Sequence, residues 1–87
     1  MDLDTICFLK DGKYRILVLK ELSISPLLPS EIAKKFELNR SSISRILKGL
    51  KEKGLIESNS SKTRTIAYFI SKKGREILEE FNDKYWK

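Results

Sequence analysis

Apolar positions recur at helical spacing through most of the chain and alternate in one short stretch near its end. Ile6, Phe8 and Leu9 make the first group, with Asp2 or Asp4 as the cap of a short helix running through Leu9. Gly12 breaks that element, and Asp11 stands where it would cap the next. From Lys13 to about Ser23, Ile16, Leu19 and Leu22 repeat at core spacing, with Tyr14, Leu17 and Val18 beside them. Few polar positions interrupt this run, which predicts a helix buried on more than one side, the central support of the domain.

Ser25-Pro26 ends that helix, because a residue before proline avoids the helical region. Pro29 suits the first position of a new helix, with Glu31 in its first turn and Ile32, Ala33 and Phe36 as the inner stripe. Glu37 and Leu38 form a turn, and Asn39 caps a helix running from Arg40 to about Lys53. At about 100° per residue, Ile43, Ile46, Leu47 and Leu50 fall on one side of it, and Ser41, Ser44, Arg45 and Lys48 on the other. Gly54 stops it as a left-handed cap. Gly49 is a weak point inside it, costing roughly 1 kcal/mol relative to Ala, and marks a close approach to a neighbouring element. Leu55–Ser58 and Arg64–Ile70 read as the two strands of a hairpin, with Ile66, Tyr68 and Ile70 on one face. Ser71 then caps a last helix from Lys72 to about Tyr85.

Eighteen basic residues against twelve acidic ones give the 87-residue chain a formal charge of +6. A basic balance in a small domain suits a polyanionic partner. No apolar run is long enough for a transmembrane helix, and the acidic start Met1-Asp2-Leu3-Asp4 lacks the basic region of a signal peptide. A cytoplasmic protein is therefore expected. With one cysteine and no histidine, a metal site of the usual Cys/His type is not available, and no cofactor is expected. Cys7, flanked by Ile6 and Phe8, reads as a small buried hydrophobe. No His/Cys nucleophile pair and no glycine-rich phosphate loop supports catalysis.

The stretch from Pro29 to Ile56 has the layout of a helix-turn-helix whose second helix can enter a DNA major groove. Its markers are Ser30-Glu31-Ile32-Ala33, Asn39-Arg40-Ser41-Ser42-Ile43-Ser44-Arg45 and Leu50-Lys51-Glu52-Lys53-Gly54-Leu55-Ile56, followed by Ile70-Ser71-Lys72-Lys73-Gly74. On these, the chain resembles the winged helix-turn-helix domains of prokaryotic regulators of the MarR and ArsR type, its small archaeal members above all. The resemblance runs from Ile6 to Phe81. It implies a mainly α fold with a small β-hairpin wing. The single domain, 1–87, holds the helix-turn-helix at about 29–53, the wing at about 55–70 and a C-terminal helix at about 72–85. It also implies a sequence-specific regulator of transcription, acting as a repressor on double-stranded DNA. Members of the family usually carry Thr or Ser before the proline that opens the first helix of the motif; Leu28 stands there in this chain, so that side-chain cap and its hydroxyl are missing.

In the recognition helix, Arg45 can give two hydrogen bonds to guanine O6 and N7, while Ser41 and Ser44 are short enough to let the helix approach. Lys48 suits a phosphate, and Arg40 and Ser42 flank the face at the helix start. By analogy with winged domains, Lys62 and Arg64 would bring the wing tip to the backbone or the minor groove. Ile77, Leu78, Phe81 and Tyr85 form one apolar stripe on the last helix, with Trp86 beyond it, more than a small core can absorb. That stripe predicts a two-fold homodimer presenting two recognition helices to an inverted repeat. A winged helix that only contacts other proteins, or one that binds RNA, carries the same pattern.

Overall fold

The computed structural model of the protein describes residues 3–59 and 66–84, the side chains of 83 and 84 excepted. Five helices and a two-stranded antiparallel sheet follow in the order α1 (Leu3–Lys10), α2 (Lys13–Ile24), α3 (Pro29–Phe36), α4 (Arg40–Glu52), β1 (Ile56–Ser58), β2 (Tyr68–Ile70) and α5 (Lys72–Lys84). This is a winged helix-turn-helix, as expected. The expected positions Lys62, Arg64, Tyr85 and Trp86 lie outside the described residues, as does Asp2.

Helix α2 is the hub: Ile16, Val18, Leu19 and Leu22 are all buried, and it packs against α1, α4, α5 and β2. The core is completed by Ile6 and Leu9 of α1, Ile32 of α3, Ile43, Leu47 and Leu50 of α4, and Leu55, Ile56 and Ile70 of the wing base. The turn before α2 differs from expectation. Asp11 donates its backbone N–H to the Cys7 carbonyl at 2.9 Å and so completes the end of α1. Gly12 takes the cap position of α2, with no side-chain cap bond. Asp4 lies within the first turn of α1 rather than ahead of it.

Two further readings are corrected by burial. Cys7 is exposed, not buried. Its neighbours Ile6 and Phe8 turn toward the interior, but successive helical residues point about 100° apart. On α5, Ile77, Leu78 and Phe81 are 6%, 7% and 3% exposed within the single chain, so they are absorbed by its own core. A surplus stripe left over for a second copy therefore does not exist at these three positions. They fold back toward α2, which α5 contacts directly.

The hairpin pairs Ile56 with Ile70, Glu57 with Phe69 and Ser58 with Tyr68. Its second strand is shorter than the pattern implied: Ile66 precedes β2 and is 44% exposed, so it does not share the inward face of Ile70. Tyr68 also makes an isolated antiparallel bridge with Leu27, in the loop ahead of α3. Its N–H donates to the Leu27 carbonyl at 2.8 Å and its carbonyl accepts from the Leu27 N–H at 3.0 Å. The sheet is thereby hooked to the start of the helix-turn-helix.

Candidate nucleic-acid interface

The turn between α3 and α4 is set by local chemistry. Glu37 takes a left-handed conformation, φ 54°, and Leu38 donates its N–H to the Ala33 carbonyl at 2.9 Å, closing α3. Asn39 follows with extended backbone, and its Oδ1 accepts the Ser42 N–H at 2.8 Å. This is the side-chain cap that the sequence called for, a bond typically worth about 1 kcal/mol to a helix.

Helix α4 then turns Ile43, Leu47 and Leu50 into the core, with Ile46 half-buried at the margin. Arg40, Ser41, Ser44, Arg45 and Lys48 are all exposed along the helix, while Ser42 is half-buried with its N–H committed to the cap. None of the cations Arg40, Arg45 and Lys48 forms an ion pair with a described residue; the Lys35–Glu21 pair, at 2.8 Å, lies away from them. Unpaired guanidinium and ammonium groups on a convex helix beside two short hydroxyls can approach a polyanion without first breaking a bridge.

The missing cap residue at Leu28 is partly compensated. The Leu28 N–H donates to a Glu31 carboxylate oxygen at 2.9 Å, the half of a capping arrangement that needs no hydroxyl at the cap. A hydroxyl is supplied two residues later by Ser30, which the sequence reading did not single out as a contact. Ser30 lines an open groove of about 420 Å³ with Leu28, Pro29, Arg40, Ile43, Ser44 and Ile66. The groove runs between the starts of α3 and α4 and the wing base, so it joins the two elements expected to meet DNA. No local pattern in the sequence marks this groove, because it forms only where the starts of α3 and α4 meet the segment ahead of β2.

A model of the MarR family matches residues 15–64, more than half of the chain. The chain belongs to the MarR family. Among solved structures, the transcriptional regulator BldR from Sulfolobus solfataricus is similar to this MarR-family chain, with 27% identity, 83% of this chain and 53% of that one covered, and a TM-score of 0.75. MarR from E. coli, in its apo form, matches with 22% identity, coverage of 80% and 54%, and a TM-score of 0.73. FabT from Streptococcus pneumoniae, solved in complex with DNA, matches with 23% identity, coverage of 80% and 51%, and a TM-score of 0.72. The last two likenesses are of fold alone. This MarR-family chain spans about half the length of the solved structures it matches. No curated protein matches it. No helix among the described residues is long and apolar enough to cross a membrane.

Within the MarR-type frame, the residues of the match cover α2 from Arg15 onward, α3, α4 and β1, together with positions 59–64. The exposed cations of α4 and the groove beside Arg40 both fall on the helix-turn-helix part of that match, apart from Ile66 at the groove's edge.

Proposed function

We propose that this MarR-family protein is a regulator of transcription that binds double-stranded DNA through α4. The observation that carries the reading is the exposed, unpaired polar face of a capped helix: Ser41, Ser44, Arg45 and Lys48 on the side opposite Ile43, Leu47 and Leu50. Arg45 reads a guanine edge, Ser41 and Ser44 allow close approach, and Lys48 and Arg40 meet phosphates. Ser30 and the groove beside Arg40 receive the sugar-phosphate backbone as the helix enters. Lys62 and Arg64 extend the contact at the wing. The DNA complex known for the similarly folded FabT supports this reading.

The protein acts as a homodimer and represses by occupying promoter DNA. With Ile77, Leu78 and Phe81 absorbed by the chain's own core, the large apolar side chains still exposed among the described residues are Leu3 on α1, Tyr14 and Ile24 on α2, and Ile66 ahead of β2, and the seam with a second copy is drawn from these. Two copies so related would face successive major grooves of an inverted repeat.

The test is a salt titration of binding to duplex DNA, duplex RNA and single strands, with duplexes chosen by selection from a random pool. Neutralised phosphates give a steep fall of log affinity with log salt. The reading requires tight, sequence-selective binding to duplex DNA. Equal affinity for RNA, or no nucleic-acid binding, removes it. A protein that sediments as a monomer at high micromolar concentration, and binds a half-site as tightly as a full repeat, removes the homodimer.

A further inference from the structure

Phe8 of α1 is half-buried and meets two other helices, α2 and α4, at once. Its ring lies beneath the Arg15 guanidinium of α2, whose Cζ is 4.1 Å from the ring centroid, and the Lys53 Nζ sits 5.5 Å from the same centroid. Arg15 also donates to the Phe8 carbonyl at 2.7 Å, so ring and backbone are held by one side chain. The edge of the ring is pressed against α4: a Cβ built on Gly49 would lie 2.9 Å from the ring Cζ and 3.3 Å from Cε1. A flat ring therefore occupies the space that any other residue at 49 would fill.

This contact falls on the helix proposed to read DNA. Gly49 is one turn beyond Arg45, and at about 100° per residue the two lie some 40° apart on the same flank. Lys53, the second contact of the ring on this helix, caps its end. An interior glycine weakens a helix by roughly 1 kcal/mol relative to alanine, so its presence there is matched by something a methyl group would disturb. A shift of α4 at Gly49 would move the Arg45 guanidinium relative to the groove floor, and hydrogen bonds to base edges tolerate such shifts far less than phosphate contacts do.

We infer that Phe8 is a positioning residue for DNA selectivity: clamped by Arg15 and Lys53, it seats against Gly49 and sets where α4 presents Arg45. This inference rests on the duplex-DNA reading above. Phe8 touches no DNA in it. Its effect is carried through α4 alone, so it should alter preference between sequences more than general affinity.

The experiment uses Gly49→Ala, Phe8→Leu and the double variant, with two probes: a duplex selected by the wild-type protein from a random pool, and an unselected duplex of equal length. Gly49→Ala should fold, because the helix propensity gained offsets the crowding against the Phe8 ring, and its thermal midpoint should stay within a few degrees of wild type. It should lose roughly tenfold in affinity for the selected duplex, equivalent to about 1.4 kcal/mol. Affinity for the unselected duplex and the salt slope should hardly change. Phe8→Leu in the Gly49→Ala background should recover most of the loss, because a shorter, flexible side chain can retreat from the new methyl group.

Wild-type binding of the selected duplex by Gly49→Ala overturns the inference. So does an equal loss on both duplexes accompanied by a lowered midpoint, which marks a merely structural contact. A double variant as weak as Gly49→Ala alone also overturns it, since the loss would then arise within α4. Wild-type protein that selects no duplex overturns the DNA reading and this inference with it, an outcome separable from the others because it precedes any substitution.

Discussion

The Ser71 hydroxyl donates to the Gly54 carbonyl at 2.6 Å, tying the start of the last helix to the end of the recognition helix. The same oxygen accepts the Gly74 N–H at 3.0 Å as the cap of α5, and the Ser71 N–H donates to the Leu55 carbonyl at 3.0 Å. Ser71→Ala keeps the last of these bonds and deletes the other two. It should lower stability by about 1–2 kcal/mol. A urea titration followed by circular dichroism checks this, with an unchanged slope and an earlier midpoint as the expected result.

Gly74 lies in the first turn of α5, where a Cβ would run into the Leu55 carbonyl and approach Ile70 Cγ1 at 2.8 Å. The obstacle is backbone, itself fixed by the Ser71 bond, so it cannot swing aside. Gly74→Ala should cost about 1–3 kcal/mol, unlike Gly49→Ala, whose neighbour is the end of a side chain. Equal urea midpoints for the two alanine variants would contradict this account.

Phe81 is 3% exposed in the single chain. Removing a buried aromatic ring alone costs about 3–5 kcal/mol, and a carboxylate in its place adds an unpaired buried charge. Phe81→Glu should therefore unfold the domain rather than release folded monomers. Loss of the helical circular-dichroism signal at 25 °C is the expected result; a folded monomer would show that the ring serves an interface between copies.

Cys7 is exposed, so it should react with a thiol reagent in native buffer as fast as it does in denaturant. Cys7→Ser should change stability by less than about 0.5 kcal/mol, as for other exposed positions. Labelling that appears only after unfolding would overturn the exposure assigned to it.

Arg45→Ala should weaken binding to the preferred duplex by roughly 1–3 kcal/mol and relax preference at one base position. Lys48→Ala should weaken all duplexes evenly and flatten the salt slope by about one unit. Side-by-side titrations on selected and unselected DNA distinguish the two patterns. Identical effects would mean that Arg45 meets phosphate instead of a base.

What the sequence revealed most clearly were features governed by chemistry within a few residues. Asn39 as a cap, Gly54 at φ 75° and Pro29 at a helix start depend on backbone geometry alone, and all three stand where the pattern put them. Even the tight approach at Gly49 was legible, because an interior glycine in a helix needs a cause. Burial was less so. A stripe such as Ile77, Leu78 and Phe81 announces that a face is covered but not by what, and here the chain's own α2 side supplies the cover. Cys7 misled because flanking residues on a helix point elsewhere. Asp11 misled because the turn between α1 and α2 is so short that one residue must finish the first helix, leaving Gly12 to begin the second. The groove beside Arg40 needed the tertiary meeting of three segments, which no local pattern carries.

The bridge between Leu27 and Tyr68 gives the loop ahead of α3 a second task. Strand β2 is flanked by β1 on one side and by this loop on the other, so at Tyr68 it offers no open edge to a foreign strand. The same two bonds make the loop a calliper. They fix the gauge between wing base and helix-turn-helix, so that, on the proposed reading, the span of duplex the molecule straddles is written in the few residues from Ser25 to Leu28. Lengthening that segment would retune the spacing without altering a single side chain on either contacting surface.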